Sequence, residues 1–392
     1  MIPEPSFTIG IEEEYWLVNL ADGSLVTEAP EGMMDQLTER FGDQVTKEFL
    51  RSQLEIGTKI CSSSSEARDE LLRLRGGLAE TVAPYGLTIM AASTHPFANW
   101  DEQVPSEGDH YNSLVDDFQT IIKRLLICGM HVHVGIEDPD MRIELLNQTT
   151  YFLPHLLALS SSSPFWRGKN MGLQSFRLTM FDTLPRSGLP EQFDSYGEYD
   201  RLIRVLVKSG AIDKPAKIWW DLRPSVKWPT LEMRITDICT RVEDAVCIAS
   251  LTRCIMRALY RLRCRNQKWR SYANILINEN RWRAQRYGTE AGLIDIGQGE
   301  IRPFKDLLEE LLEFIREDAA YFDCQDEVAH ALTIVDRGTS AQMQVDLYEK
   351  ALAEGKTEGQ ALRGVSKELI RQTLENTSME ARQDLDRPAR QS

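Results

Sequence analysis

Alternating acidic residues mark the first stretch of the chain that could carry out chemistry. Gly10–Val18 reads GIEEEYWLV, and the apolar residues that flank the glutamates are typical of a β-strand. Alternate residues of a strand share a face, so Glu12 and Glu14 point the same way with about 6.5–7 Å between them. Neighbouring carboxylates repel and strands disfavour Glu, so a cation should compensate. A pair of divalent ions would give both side chains a ligand role; the alternative is the solvated face of an edge strand.

Two further glutamates lie in Glu48–Thr58, which reads EFLRSQLEIGT. Glu55 occupies a run that otherwise looks half-buried, and a buried carboxylate needs a partner. A straight strand over Val45–Ile56 would place Glu48 and Glu55 on opposite faces of the sheet. Both can therefore serve one site only across a bulge or bend, and Glu55 is the stronger candidate.

Two histidines alternate in Gly129–Gly135, which reads GMHVHVG. His131 and His133 share one strand face, and this H-x-H pattern on a strand is a recurring arrangement of metal ligands. The alternative is a pair of buried histidines that are only hydrogen-bonded. The pattern favours metal ligation by at least one of the two rings.

A glutamate and an arginine share a face in Thr230–Asp237, which reads TLEMRITD. Glu232 and Arg234 could form a simple ion pair. Next to metal ions and a phosphate group they would act differently. Glu232 would hold the ion, and the planar guanidinium of Arg234 would bind phosphate oxygens.

A serine-rich segment supplies the last candidate. Ser160–Ser163 end a helix predicted over 140–159 and lead into a loop rich in Gly, Arg and Lys, with Arg177 after it. Such a loop could wrap a polyanion, and it could equally be an ordinary surface loop. The chain has no Walker A pattern, and Ile296–Gly299 lacks the third glycine of a dinucleotide signature. Any bound ATP is therefore expected to be held by metal ions and arginines.

The periodicity of apolar residues predicts the elements that position these side chains. Strands are predicted at Phe7–Asn19, Val45–Ile56, Leu87–Ala92, Met130–Gly135, Trp219–Asp221 and Leu231–Thr236. Helices are predicted at Glu66–Ala83, 111–126, 140–159, 242–264, 268–283, 304–317, 326–336, 341–353 and 357–374. The order predicts an α+β protein with a mainly antiparallel sheet in the first 240 residues. A helical C-terminal part should pack on that sheet and support it without contributing chemistry.

Bulk properties exclude several classes of protein. The 392 residues carry a formal charge of −15, which disfavours nucleic-acid binding because that requires a basic face. No apolar stretch reaches about 18 residues, so no membrane span is predicted. The N-terminus lacks a signal peptide, so we expect a cytoplasmic protein. The 7 cysteines show no C-x-x-C pair and are expected to be buried and reduced.

Taken together and in order, the motifs resemble the glutamate–cysteine ligase type 2 family of bacterial carboxylate–amine ligases. The likeness covers residues 6–375 and rests on GIEEEYWLV, SQLEIGT, GMHVHVG, LSSSSPFWRG with SFR, LEMRITD and NRWRAQRYG. It implies a glutamine synthetase-like fold, in which a curved, mainly antiparallel sheet forms a funnel with helices around it. It also implies one catalytic domain over 1–376, while the polar segment 377–392 is predicted to be a disordered tail.

The resemblance further implies ATP and Mg²⁺, with Mn²⁺ as an alternative metal. Metal ligands carried over position by position are Glu12, Glu14, Glu48, Glu55, His131 and Glu232. The carried-over contacts to phosphate or to a substrate carboxylate are Arg177 and Arg234, with Ser160 as a third nucleotide contact.

The implied reaction is ATP-dependent formation of an amide through an acyl phosphate. Small-molecule carboxylates and amines are the expected partners, with glutamate as the carboxylate donor, weak glutamate–cysteine ligase activity and a homodimeric assembly. Two alternatives stay open: a metal-dependent hydrolase that uses the same cluster, and a nucleotide- or amino-acid-binding protein without turnover. A ligase needs ATP, a carboxylate and an amine at the same time, whereas a hydrolase does not require this combination.

Overall fold

Most strands lie in the first 240 residues, and seven of them form one antiparallel sheet. The structure is a computed structural model that describes residues 3–106 and 117–378. Its strands are β1 (Ile9–Asn19), β2 (Val45–Lys47), β3 (Gln53–Gly57), β4 (Leu87–Met90), β5 (Met130–Gly135), β6 (Phe165–Trp166), β7 (Lys169–Asn170), β8 (Ser187–Gly188), β9 (Trp219–Trp220), β10 (Leu222–Pro224), β11 (Thr230–Met233), β12 (Leu293–Asp295) and β13 (Glu300–Arg302). The large sheet has the order β10-β11-β5-β1-β3-β2, and β4 also pairs with β1.

The long strand β1 is the centre of this sheet. It pairs with β5 on one side, and with β3 and β4 on the other. Its residues from Tyr15 to Val18 are fully buried. Earlier in the strand, burial alternates as a period of two requires, with Ile11 and Glu13 inside and Glu12 and Glu14 partly exposed on the opposite face. One strand thus supplies both the core and the face that carries acidic groups.

Helices pack against the sheet and make up the C-terminal part. They are α1 (Met33–Phe41), α2 (Ser64–Val82), α3 (Thr120–Lys123), α4 (Pro139–Thr149), α5 (Leu153–Ser160), α6 (Phe176–Phe181), α7 (Tyr196–Lys208), α8 (Val242–Cys264), α9 (Asn274–Tyr287), α10 (Phe304–Tyr321), α11 (Gln325–Arg337), α12 (Ser340–Ala353) and α13 (Glu358–Thr373). The long helix α8 packs against α2, α10, α11 and β5, so it joins the sheet to the helical layer. The predicted α+β class is therefore confirmed.

Capping residues explain where several helices begin. The Ser63 hydroxyl accepts a hydrogen bond from the backbone N–H of Glu66 at 3.1 Å, and Asp138 caps α4 with Pro139 in the first turn. Thr339 forms a capping box at the start of α12. These local signals make helix starts the most predictable boundaries of this chain.

Several predicted elements differ from the structure. Val45–Ile56 is not one strand, because the chain turns at residues 48–52 between β2 and β3. The helix predicted over 140–159 is broken by a 3₁₀ turn at Thr150–Phe152, after which Pro154 fits the first turn of α5. The predicted helix 268–283 begins only at Asn274.

Other differences concern elements that sequence reasoning did not predict. Helices α1, α6 and α7 and the hairpin of β12 with β13 were not expected, and Ile296–Gly299 is the turn of that hairpin. Residues 111–116 of the helix predicted over 111–126 lie outside the described residues, and in the remainder residues 117–118 and α3 are helical.

A buried ion pair fastens the helical layer to the reverse face of β1. Glu13 and Arg75 are completely buried, with Arg75 Nη2 2.6 Å and Nε 3.1 Å from the two carboxylate oxygens. The same guanidinium donates to the carbonyls of Cys239 at 2.9 Å, Thr240 at 2.6 Å and Thr373 at 3.4 Å. Burial opposes the charge on Arg75, but the neighbouring Glu13 carboxylate outweighs it and raises the pKa of Arg75.

No helix within 3–106 and 117–378 has the length and apolar character needed to cross a membrane. The cysteines are free, and all except Cys264 are buried. In the predicted tail, Thr377 is buried and Ser378 contacts Glu80, whereas 379–392 lie outside the described residues. The single domain over 1–376 stays a prediction.

Candidate active site

Strand pairing brings the predicted ligands together on one face of the sheet. Glu12 on β1 lies directly opposite His131 on β5, and Glu14 lies opposite Glu55 on β3. Directly opposed residues of an antiparallel pair have their Cβ atoms about 4.5–5.5 Å apart, so their side chains meet. Four candidates from separate stretches of sequence are thereby placed side by side.

The third pairing brings Glu232 beside the histidines. Glu232 on β11 is opposite His133 on β5, and ligand atoms of Glu12, His131 and Glu232 all lie within 4.8 Å of one another. His131 Nδ1 is 3.1 Å from Glu12 Oε2, and His133 Nε2 is 3.4 Å from Glu12 Oε1. Among the described residues, the buried Nε2 of His131 has no hydrogen-bond partner. Carboxylate oxygens with an imidazole nitrogen suit a divalent cation, so the donor set fits a metal ion.

Glu14, Glu48 and Glu55 form a second acidic group next to the first. The turn at 48–52 brings the Glu48 carboxyl to that of Glu55, so a bend does unite the two positions. Burial raises the pKa of Glu14, and burial together with Glu14 raises the pKa of Glu48 to about 7. Burial, followed by the charges of Glu48 and Glu12, raises the pKa of Glu55 well above its usual value. Such carboxylates are stabilised by a nearby cation, so this group also fits metal binding.

In the first acidic group, which consists of Glu12 and Glu232, the carboxyl pKa values are lowered instead of raised. Burial acts to raise the pKa of Glu12, but hydrogen bonds to His131 and His133 outweigh it and lower that pKa. For Glu232 the charges of Arg234 and Arg223 outweigh burial in the same way. Burial and then Arg234 lower the pKa of His131 to about 4, which keeps its ring neutral and available as a ligand near neutral pH.

Two arginines hold the Glu232 carboxylate from opposite sides. Arg223 on β10 donates from Nε at 3.0 Å and from Nη2 at 3.2 Å, and Arg234 donates from Nη1. Glu232 and the other acidic groups outweigh burial and raise the pKa of Arg234. The buried Nε of Arg234 has no hydrogen-bond partner within the described chain, which leaves a donor for a ligand.

Arg177 projects from α6 to the same place and is only 2% exposed. Its guanidinium donates to the carbonyls of Arg234 and Ile235 at 3.3–3.4 Å, and it lies 5.4 Å from the ring of Phe181. Gly129 lies directly against it: an added Cβ would be 2.9 Å from Arg177 Cζ and closer still to Nη2. The Nε atom of Arg177 has no hydrogen-bond partner in the described part of the chain. Arg177 and Arg234 therefore present two unpaired N–H groups.

The serine segment has a different role from the one expected. The Asp237 carboxylate accepts hydrogen bonds from Ser162 N at 2.9 Å, Ser163 Oγ at 2.7 Å and Ser175 Oγ at 2.8 Å. The segment is thus buried and internally satisfied, so it is neither a surface loop nor a wrap for a polyanion. Ser163 Oγ also accepts from the Arg177 backbone at 3.1 Å, which fixes the start of α6.

Ser160, the predicted nucleotide contact, is not brought to the cluster. It is buried at the end of α5, and its hydroxyl donates to the carbonyl of Leu157 at 3.2 Å. No hydrogen bond between described residues joins it to the carboxylates or the arginines. The other predicted residues, by contrast, converge on one face.

The helical part contributes one residue that sequence reasoning missed. Arg281 of α9 binds Asp182 at 2.6 and 2.8 Å and Asp221 at 2.7 and 3.1 Å. The Asp221 carbonyl in turn accepts from the backbone N–H of Arg234 at 2.8 Å. Arg281 lies in the motif NRWRAQRYG, which carried the resemblance without a suggested role. The helical layer therefore supports the position of Arg234, which is a supporting role of the kind expected from the sequence.

A cavity opens at the junction of the acidic group and the arginines. Its polar lining residues are Glu14, Glu48, Gln53, His131, Arg177 and Arg234, and its apolar lining residues are Phe49, Ile122, Leu125, Ile127, Phe181, Leu184 and Trp219. Cation-binding groups and anion-binding groups thus face the same space. This arrangement can hold a metal-bound anion such as a phosphate together with a small organic substrate.

Comparisons with known proteins identify the family of the chain. The model of the glutamate–cysteine ligase family 2 matches residues 8–372. A protein of Rhodospirillum rubrum, named as a candidate glutamate–cysteine ligase 2, is 55% identical over 375 residues, which are 95% of this chain and 96% of the relative. A protein of Paracoccus denitrificans with the same name is 46% identical over 365 residues, 93% of this chain and 97% of the relative.

Solved structures share the fold at low sequence identity. A glutamate–cysteine ligase from Francisella tularensis in complex with AMP is 16% identical, with a TM-score of 0.64 over 96% of this chain and 91% of that one. A bifunctional glutathione synthetase from Pasteurella multocida is 15% identical, with a TM-score of 0.67 over 94% of this chain, which spans 53% of that protein. These likenesses concern the fold alone and confirm the predicted glutamine synthetase-like class. From the family match and the close relatives, the chain belongs to the glutamate–cysteine ligase family 2 and is a carbon–nitrogen ligase by class.

Proposed function

We propose that the chain is an ATP-dependent carboxylate–amine ligase with glutamate as its carboxylate donor and weak glutamate–cysteine ligase activity. One observation carries the proposal: buried carboxylates and a neutral histidine adjoin two arginines whose Nε atoms are unpaired among the described residues. Carboxylates without cations would be costly to bury, and arginines without anions would leave donors unused. A magnesium–triphosphate complex offers partners for both sets.

Residues of both acidic groups would hold the metal ions. Glu12, His131 and Glu232 form one donor set, and their ligand atoms are within 4.8 Å of one another. Glu14, Glu48 and Glu55 form the other donor set. Their carboxyl pKa values are raised, and a bound cation would counteract that rise. Bound Mg²⁺ would supply charge neutralisation of the polyphosphate and orientation of its terminal phosphate.

The arginines would act on the transferring phosphoryl group. A substrate carboxylate oxygen attacks the γ-phosphorus, and the bond to the ADP oxygen breaks as ADP leaves. Arg177 and Arg234 stabilise the charge that spreads over the phosphoryl oxygens, because their donors are already fixed in a buried site. An amine nitrogen then attacks the carbonyl carbon of the acyl phosphate; phosphate leaves, the amine loses a proton, and an amide remains.

Phosphate release with defined mixtures tests the proposal. The protein would be incubated with Mg²⁺ and ATP, with and without glutamate, and with and without cysteine or another amine, and ADP, phosphate and amide would be measured. A ligase releases ADP in step with amide and only in the complete mixture. Phosphate release that needs neither carboxylate nor amine would instead identify a hydrolase, and binding without any ADP would identify a protein that lacks turnover.

A matched pair of variants ties the activity to the cluster. Arg177→Ala removes one unpaired donor from the cavity, so ADP formation should fall. Arg316→Ala removes an arginine on the exposed side of α10, where its ion pair with Glu313 is solvated, and should leave the rate unchanged. Equal rates in both variants would remove Arg177 from the proposed mechanism.

A further inference from the structure

The cavity beside the arginines has an apolar wall that phosphate chemistry does not explain. Phe49, Phe181, Leu184 and Trp219 are among the apolar residues that line it. Phe49, Phe181 and Leu184 are otherwise buried. Apolar surface next to water is unfavourable, and a triphosphate gains nothing from contact with it.

The two ends of the cavity fit the two ends of an amino acid with an apolar side chain. At the polar end, the guanidinium groups of Arg177 and Arg234 can donate to a carboxylate when no phosphoryl group is bound there, and Glu14 or Glu48 can accept from an ammonium group when it holds no metal ion. The Phe181 ring lies 5.4 Å from the Arg177 guanidinium, so the apolar wall begins where the carboxylate site ends.

Trp219 is a half-buried residue of this wall and is held in place by its neighbours. Its ring makes an edge contact with Phe118 at 5.6 Å and lies 5.8 Å from the guanidinium of Arg186, and its backbone N–H donates to the Arg186 carbonyl at 2.9 Å. A fixed aromatic side chain provides a large contact area at little entropic cost. Its truncation should therefore enlarge the apolar end of the cavity without disturbing the carboxylates.

We propose that one of the two substrates is an amino acid with an apolar side chain larger than a methyl group, which packs on the wall of Phe49, Phe181, Leu184 and Trp219. The inference rests on the proposed function for the reaction in which this substrate is used. Binding of the amino acid itself does not depend on turnover. Leucine and phenylalanine are suitable probes, with alanine and serine as their small and polar counterparts.

Calorimetric titration of the full chain with each of these four amino acids tests the pocket directly. Each buried methylene strengthens binding several-fold, so the Kd for leucine or phenylalanine should be at least about tenfold lower than that for alanine. Trp219→Ala should reduce this ratio to near unity. Trp228→Ala, which removes a 49% exposed tryptophan from the tip of the β10–β11 hairpin, should leave it unchanged.

Turnover assays then identify which substrate carries the apolar group. With ATP, Mg²⁺ and hydroxylamine, an acyl phosphate is trapped as a hydroxamate, so leucyl hydroxamate would make leucine the carboxylate donor. Glutamyl hydroxamate, together with a glutamyl–leucine amide when leucine replaces hydroxylamine, would make leucine the amine. Either product supports the inference, and the two differ in mass; leucyl hydroxamate would also overturn glutamate as the proposed carboxylate donor.

The outcomes separate this inference from the proposed function. Equal Kd values for leucine, alanine and serine, or a leucine preference that survives Trp219→Ala, would overturn the apolar pocket even if the protein proves to be a ligase. A clear leucine preference without ADP formation in any mixture would overturn the proposed function and leave the pocket standing.

Discussion

Gly129→Ala should disable the site through Arg177 while leaving the sheet intact. The added Cβ would lie 2.9 Å from Arg177 Cζ and nearer to Nη2. Non-bonded carbons prefer about 3.5–4.0 Å, so the guanidinium must move by about 1 Å. It has little freedom to do so, because its own N–H groups are bound to the carbonyls of Arg234 and Ile235. A displacement of about 1 Å in a reacting constellation can lower the rate about 100-fold.

The assay is steady-state ADP formation in the complete ligase mixture, with unfolding by urea measured in parallel. We expect kcat/KM to fall about 100-fold, while overpacking lowers the free energy of unfolding by about 1–3 kcal/mol. Gly135→Ala on the same strand is the matched control. Its Cβ would lie 3.3 Å from the backbone nitrogen of Thr8 and closer to the hydroxyls of Ser6 and Thr8, so it meets similar crowding away from Arg177.

The comparison of the two glycine variants decides the issue. If Gly129→Ala loses no more activity than Gly135→Ala at similar stability, then the position of the Arg177 guanidinium does not limit the reaction. The role proposed for that arginine would then be wrong, whatever the identity of the substrates.

Three further predictions concern a proposed ligand, a buried ion pair and a buried ring. Glu232→Gln should reduce amide formation beyond the 10–100-fold loss typical when a ligand's supporting partner is removed, with unchanged circular dichroism; undiminished turnover would contradict the assigned site. Arg75→Met should lower the free energy of unfolding in urea by about 3–5 kcal/mol because Glu13 stays buried and unpaired, whereas the exposed Arg316→Met should cost under about 1 kcal/mol. Burial lowers the pKa of His155 to about 4, below its usual 6.5. Between these values only the unfolded state binds the proton, so stability should fall as pH drops from about 6.5 to about 4, and His155→Phe should weaken this dependence in thermal unfolding.

Local patterns were sufficient to predict much of the sheet face. Strand alternation correctly separated Glu12 and Glu14 from Glu13, and the same rule aligned His131 with His133. Strand pairing brings together residues that are far apart in sequence, so the contact of Glu12 with His131 could not follow from alternation alone. It had to come from the register of β1 with β5.

The residues that support the site were not predictable for the same reason. Arg223, Asp237 and Arg281 were missed because their partners lie elsewhere along the chain or, for Arg223, across a hairpin whose register was unknown. The serine segment was misread because its composition resembles that of a loop, while its actual partner is a buried aspartate. The closeness of Glu48 to Glu55 was predicted only on the condition of a bulge or bend. The turn that supplies this bend depends on how β2 pairs with β3.

The Arg75 guanidinium has a consequence for how the chain can be shortened. It joins Glu13, which stands between two proposed metal ligands, to the carbonyl of Thr373 at the end of α13, and the Thr373 hydroxyl accepts from the backbone N–H of Ala91 at 2.9 Å. The last helix therefore helps to hold the first strand in place through Arg75. Deletion of α13 would remove one acceptor from the buried Arg75 guanidinium and another from the backbone N–H of Ala91, the residue after β4. Such a truncation would loosen Glu12 and Glu14, which lie at the opposite end of the sequence.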